Sequence, residues 1–256
     1  MQLQENLYSQ GFGTRRVCAG LVQHGLVAVR GAQGFEICTQ AGAEFHAPGL
    51  EFRVQAEHWV YQERAYLMLH KPAGTECSHK PSTYPSVYTL LPSPLRLRPQ
   101  KATLQGVQAI GRLDQDSTGL LLLSDDGKFI HRMSSPRQHV PKIYEATVRH
   151  ALDDGQLQRL LDGVVLDDDP RPVRAAACDA PASHLLRLTL TQGKYHQVKR
   201  MVAAVGNRVE RLHRSQIGGL RLPPDLGAGQ WRWLTPAELA SIGPVPEPTP
   251  AVPKNP

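Results

Sequence analysis

The sequence is poor in the features that tie a protein to redox, metal or membrane chemistry. It has four cysteines, Cys18, Cys38, Cys77 and Cys178, scattered along the chain with no C-x-x-C pair. That spacing argues against a disulfide frame or a zinc site and reads as free thiols in a reducing cytosol. There is no G-x-G-x-x-G fingerprint, no P-loop and no His/Cys cluster at metal-ligand spacing, so nicotinamide, nucleotide and metal chemistry have no sequence support. No apolar run is long enough to span a membrane and no secretory signal is visible, so a cytoplasmic location is expected. No internal repeat is apparent.

What remains is a globular, basic chain. Its 256 residues suffice for one full-size domain plus a small one, and 41% hydrophobic residues can build a real core. The formal net charge of +6 and pI of about 9.3 suit a polyanionic partner. The first unit, residues 1–48, opens with a short helix carrying Leu3 and Leu7 and ended by Gly11-Phe12-Gly13. Thr14 is a good N-cap for a second helix reaching about His24, with Val17, Leu21 and Val22 as its apolar residues and Gly25 as its stop. Arg15 and Arg16 sit in its first turn. They oppose the helix dipole there, a placement that makes sense if a phosphate docks. A strand over Leu26–Arg30 follows, and residues 49–63, without clear periodicity, read as a linker.

A second unit, residues 64–242, opens with an apolar strand that runs into His70-Lys71-Pro72-Ala73-Gly74. Residues 78–106, rich in Pro, Ser and basic side chains such as Lys80, Arg96, Arg98 and Lys101, read as a long loop of the kind that carries function. The chain is organised around Val107–Lys128. An apolar strand, Val107–Ile110, enters Gly111-Arg112-Leu113-Asp114; a second apolar run, Gly119–Leu123, follows, and Asp125-Asp126-Gly127 closes it as a turn. One carboxylate, Asp114, therefore lies at a tight connection between two buried strands with Arg112 beside it.

Further on, Lys142–Arg149 alternates as a strand with Tyr144, Ala146 and Val148 on one face. Asp153–Gly163 is an amphipathic helix, and Val173–Cys178 and Leu185–Thr191 read as neighbouring strands. In Gly193–Gly206, Val198, Met201, Val202 and Val205 recur at helical spacing as a core stripe, with His196, Lys199 and Arg200 on the opposite face. A strand over Asn207–Arg214, an edge strand at Trp231–Thr235 and a short helix at Pro236–Ile242 complete the body. The Pro-rich tail, 243–256, is expected to be disordered.

Arg112-Leu113-Asp114, followed by Asp116-Ser117-Thr118-Gly119 and the leucine run, resembles the catalytic motif of the pseudouridine synthases that modify ribosomal RNA. The Lys71-Pro72-Ala73-Gly74, Lys142-Ile143-Tyr144 and Gly193–Met201 strings resemble that family's opening strand and its second and third motifs, in the right order. Ser9–Arg16 with Gly25–Val29 resembles the S4 RNA-binding domain. Within the family, Tyr195-His196-Gln197-Val198-Lys199-Arg200 and Glu210–Arg214 look most like the branch acting on small-subunit (16S) rRNA; the large-subunit relatives carry a different string.

The resemblance implies an α+β fold: an S4-like RNA-binding module joined to a catalytic domain with a mixed, largely antiparallel sheet crossed by the active cleft. It implies conversion of one uridine of 16S rRNA, number 516 in the usual bacterial numbering, to pseudouridine by a monomer that needs no cofactor and no metal. Asp114 would be the essential carboxylate, Lys199 its neighbouring cation and Tyr144 the surface on which the base packs; Arg15, Arg16, Arg112, His196 and Arg200 would contact RNA. Asp114 would act on the ribose either as a nucleophile or by removing the 2′ proton. The partner would be 16S rRNA or an assembling small subunit, with no membrane involved. The alternatives are the same reaction on 23S rRNA, a non-catalytic RNA-binding assembly factor, and a hydrolase using Asp114 with Asp116. The last is the weakest, since carboxylates two residues apart in one loop have no evident way to straddle a substrate.

Overall fold

The computed structural model describes residues 1–99, 106–135, 138–167 and 169–243. Lys101 and the tail from 244 onward, both singled out above, lie outside the described residues. Helix α1 (Leu3–Gln10) ends at Gly11, whose φ of 91° is left-handed. A Cβ there would lie 2.7 Å from the Arg98 backbone nitrogen, so only glycine lets this helix end dock so closely on the second unit. Helix α2 (Arg15–Gln23) is capped as expected, the Thr14 hydroxyl accepting the Val17 N–H at 3.3 Å. Its inward stripe differs from the expected one: Cys18 and Val22 are buried, whereas Val17 is 49% exposed.

The sheet of this unit has the order β2-β1-β3-β4, from β1 (Val27–Gly31), β2 (Gly34–Ile37), β3 (Glu51–Val54) and β4 (Glu57–Val60). The linker reading of 49–63 is thereby corrected. Residues 51–60 form an antiparallel hairpin whose Phe52, Val54 and Trp59 are buried while Arg53 and His58 face solvent. The hydrophobic face of the hairpin needs the rest of the sheet to cover it, so it belongs to the N-terminal unit.

The two units share one core. Leu3, Leu7, Val22 and Phe52 pack in the same cluster as Leu67, Leu69, Leu121 and Leu123. A buried polar hub reinforces the junction: Arg98 donates to Asp125 (2.6 Å), Gln10 Oε1 (3.1 Å) and the Gln62 carbonyl (2.7 Å). Asp125 in turn accepts the Ala65 N–H at 2.7 Å.

The strands of the second unit are β5 (Tyr66–Lys71), β6 (Gln108–Ile110), β7 (Thr118–Ser124), β8 (Lys142–Val148), β9 (Val164–Leu166), β10 (Asp169–Val173), β11 (Ala177–Ala182), β12 (Leu185–Leu190), β13 (Val209–Ile217), β14 (Leu220–Arg221) and β15 (Trp231–Trp233). The helices are α3 (Ser93–Leu97), α4 (Gly127–Ser134), α5 (Asp154–Asp162), α6 (Gln197–Ala204) and α7 (Pro236–Ser241). The strand expected over Val173–Cys178 is divided between the end of β10 and the start of β11. Part of the expected 78–106 loop is helical, a 3-10 turn at Val87–Leu90 followed by α3.

The main sheet runs β11-β12-β8-β13-β7-β5-β15, with β6 on β7 and β14 on β13. Its pairs are antiparallel except β13 with β7, so the mixed, largely antiparallel sheet expected from the resemblance is present. At the parallel junction Gly119 takes φ 111°, and a Cβ would lie 2.6 Å from the Arg214 nitrogen. This close approach sets β13 directly beside the start of β7, and thus beside the loop that carries Asp114. One face of β8, β12 and β13 packs against α6, with Tyr144, Ala146, Leu188 and Leu212 meeting Val198, Met201 and Val202. No helix among the described residues is long and apolar enough to cross a membrane.

Candidate active site

Residues 111–117 connect β6 to β7 and hold Asp114 at the end of the sheet. Lys71, fully buried at the end of β5, fixes this connection from below. Its ammonium donates to the carbonyls of Ser117 (2.9 Å) and Pro72 (3.0 Å), with a longer contact to Gln115 (3.4 Å). The Gly74 N–H adds a bond to the Gln115 carbonyl at 2.7 Å. Burial pushes the Lys71 ammonium below its usual value, opposed by Cys77, Asp116 and Asp114. The Lys-Pro-Ala-Gly string and the Asp114 loop thus form one unit of backbone.

Helix α6 brings the counter-charge. Lys199 Nζ lies 3.2 Å from Asp114 Oδ2 and 2.7 Å from Asp116 Oδ1, bridging the two carboxylates. Burial lowers the Lys199 pKa, but the hydrogen bond to Asp116 and the charge of Asp114 outweigh it and hold the ammonium above its usual value. Burial likewise raises Asp116, but the hydrogen bond and charge of Lys199 hold its carboxyl below the usual range. His196 Nε2 is 3.4 Å from Asp114 Oδ1. The expectation that His196 shares a helix face with Lys199 and Arg200 is corrected: His196 is the N-cap of α6 in left-handed conformation, φ 48°, ψ 31°. That strained backbone turns its ring onto Tyr195, the centroids 3.8 Å apart and the planes at 19°.

A cleft of about 390 Å³ opens beside Asp114, within the roughly 300–1,000 Å³ typical of small-molecule sites. Arg112, Asp114, Tyr144 and His196 all line it, and Lys199 reaches it through Asp114. Four of the expected site residues therefore meet at one place. Arg200 does not join them; it donates to the Tyr195 carbonyl at 3.3 Å, outside the cleft lining. Arg15 and Arg16 stand on α2 in the N-terminal unit, Arg15 bound to Glu5 at 2.9 Å with its guanidinium 4.0 Å over the Tyr8 ring. That contact offsets the helix-dipole conflict that its first-turn position creates.

Three residues of the site escaped the sequence reading. Lys71 acts through backbone carbonyls, two of them in the Asp114 loop more than 40 residues away. Tyr195, 76% exposed, presents its ring at the cleft. Arg214, which the sequence shows only as the end of a strand, is 2% exposed and lines the cleft, opposite Tyr144 in the sheet register. Among the described residues no group of three or more His, Cys, Asp or Glu side chains could hold a metal.

A mixed sheet with an aspartate loop at its end, an aromatic on β8 and a lysine from the packed helix is the arrangement that the resemblance implies, and the fold is that of a pseudouridine synthase. Residues 65–204 match the family model described as RNA pseudouridylate synthase, and the chain belongs to that family. It is similar to the "Ribosomal small subunit pseudouridine synthase A" of Yersinia pestis, 44% identical over 178 residues covering 70% of this chain and 72% of the relative. The protein of that name from Escherichia coli (strain K12) is 41% identical over 177 residues, 69% of this chain and 73% of the relative. A crystal structure of a pseudouridylate synthase superimposes with a TM-score of 0.64 at 31% identity, covering 94% of this chain and 99% of that one. This chain is an RNA pseudouridine synthase.

Proposed function

We propose that the protein converts one uridine of 16S rRNA to pseudouridine, with uridine 516 as the site that the family resemblance implies. The observation that carries the catalytic part is the convergence of Asp114, His196, Arg112 and Tyr144 on one cleft, with Lys199 paired to Asp114. The small-subunit part is supported by relatives at 41–44% identity whose names specify that subunit. The N-terminal unit, by its S4-like string, would hold the RNA at a distance from the cleft, with Arg16 more available than the Glu5-bound Arg15.

In this reading the target nucleotide leaves its stack, at a cost of a few kcal/mol, and its base packs on Tyr144. Asp114 acts on the ribose as nucleophile or by removing the 2′ proton. Either route needs an ionised carboxylate, which Lys199 stabilises from 3.2 Å. The N1–C1′ bond breaks, the uracil turns, C5 bonds to C1′, and the C5 proton leaves while N1 regains one; atoms balance with no cofactor. Tyr144, which lines the cleft, would assist that last proton transfer. Arg112 and Tyr195, both on the lip of the cleft, would hold the space vacated by the base and the neighbouring nucleotides.

The test is a pseudouridine map of both rRNAs from cells with and without this gene. Loss of one site in 16S rRNA supports the proposal. Loss confined to 23S rRNA would refute the substrate while keeping the reaction, and no loss in either would refute the enzyme reading on rRNA.

A further inference from the structure

The cleft extends past Asp114 to an inner end lined by Lys142, Arg214, Ser134 and Ser135, over a floor that includes Ile110 and Leu122. The mechanism above uses none of these groups. Arg214 is 2% exposed. Its Nε donates to the Leu120 carbonyl at 2.8 Å, while its Nη2 is buried with no hydrogen-bond partner among the described residues. Lys142 sits two residues from Tyr144 on the same face of β8 and donates to the Val140 carbonyl at 3.0 Å. The register sets Arg214 opposite Tyr144 on the adjacent strand, so both cations rise from one face of the sheet. Burial pushes the Lys142 ammonium below its usual value, and the charge of Arg214 pushes it further. Among the described residues no carboxylate forms an ion pair with either cation; the cleft carboxylate, Asp114, is engaged by Lys199 and His196.

A buried guanidinium beside a half-buried ammonium, with no counter-charge on either, is costly, and a buried guanidinium nitrogen without an acceptor adds to the cost. A site that tolerates this cost is built for an anion delivered by a ligand. We propose that Arg214 and Lys142 form a phosphate subsite at the inner end of the cleft, which takes a backbone phosphodiester of the RNA next to the uridine packed on Tyr144. This rests on the RNA-modifying reading above and adds to it a fixed distance between phosphate and base. A phosphate held there would anchor the extruded nucleotide by its backbone, with the uracil left free to turn on Tyr144. The groups that hold the nucleotide would then be separate from those that act on its ribose. Ser134 and Ser135, at the end of α4, add hydroxyl donors to the same end.

The test compares direct binding of uridine, 3′-UMP, 5′-UMP and inorganic phosphate to the full-length protein by calorimetry or NMR titration. Wild type should bind one of the two monophosphates about 10- to 100-fold more tightly than uridine, as expected for charge-assisted hydrogen bonds, and which isomer is preferred identifies the phosphate. Lys142→Met should lose most of that preference while keeping its affinity for uridine. Arg214→Met should behave alike; because Arg214 packs against Gly119, its thermal melt is read first, and Lys142→Met stands alone if it does not fold. Equal affinity for uridine and both monophosphates in wild type would overturn the subsite. So would a monophosphate preference that persists in Lys142→Met, or a parallel loss of uridine binding. The binding assay needs no turnover, so an absence of pseudouridine formation would refute the proposed function without deciding this one.

Discussion

Lys71→Met is the substitution whose consequences the structure specifies most fully. It removes a fully buried ammonium that donates to three backbone carbonyls around the Asp114 loop, at 2.9, 3.0 and 3.4 Å. Hydrogen bonds to a charged group contribute about 1.5–3 kcal/mol each. Against that, the variant no longer desolvates an ammonium, which regains several kcal/mol. The two largely offset, which leaves a stability loss of about 1–3 kcal/mol. For a chain of this size that corresponds to a melting point lower by roughly 2–12 °C. Turnover should fall much further. Without the clamp the loop can shift, and a displacement of about 1 Å at a reacting group costs on the order of 100-fold in rate. Because Lys71 is buried away from RNA, KM should hardly change. The assay is pseudouridine formation under single-turnover and steady-state conditions, alongside a thermal melt. Wild-type kcat in a folded Lys71→Met protein would refute the view that this lysine positions Asp114.

Other substitutions probe separate parts of the account. Lys199→Met should reduce turnover by about 100- to 1,000-fold, as for loss of a preorganised electrostatic partner, with a far smaller effect on melting; unchanged turnover would make Lys199 a surface residue. The same variant bears on pH. Asp116 is held below its usual pKa by Lys199, so its contribution to stability is present above the unfolded carboxylate value and lost as pH falls through the depressed one. Lys199→Met should raise the Asp116 titration seen by NMR and flatten that acid dependence. Arg16→Ala should lower the salt dependence of RNA binding by about 0.7–0.9 in log–log slope, and Arg15→Ala by less because Glu5 already engages it; equal effects would argue against that ordering. Gly119→Ala, which forces a Cβ against the Arg214 backbone at φ 111°, should lower the melting point more than Lys71→Met does.

The parts of this molecule visible in its sequence are those written in short local patterns. The Asp114 loop was legible because two apolar runs flank it, and α6 because Val198, Met201, Val202 and Val205 keep helical spacing and are all buried. The 51–60 hairpin was not, although Phe52, Val54 and Trp59 alternate with polar residues. Its strands are only four residues long, and its turn, Gln55-Ala56, has Gln55 at φ 57° where glycine or asparagine would usually signal a hairpin. Val17 was misplaced because Cys18 takes the inward position; a small thiol against an apolar core is easily overlooked beside a valine. Lys71 and Arg214 were missed for a common reason. A cation in a sequence reads as solvent-facing charge, and only the fold shows that one reaches a carbonyl 46 residues away and that the other is buried against the backbone of β7. His196 shows the opposite limit: spacing put it on a helix face, but the helix starts one residue later and a left-handed backbone aims its ring at Asp114.

The measurement that bears most directly on the central claim is pseudouridine formation by purified Asp114→Asn, followed by chemical mapping on 16S rRNA beside the wild-type protein. The substitution is nearly isosteric and leaves the amide within reach of Lys199 and His196. The account predicts one modified uridine with wild type and none with the variant, while folding and RNA affinity stay close to wild type. Formation of pseudouridine by Asp114→Asn would contradict it and shift the catalytic role to Asp116, the other carboxylate that Lys199 holds.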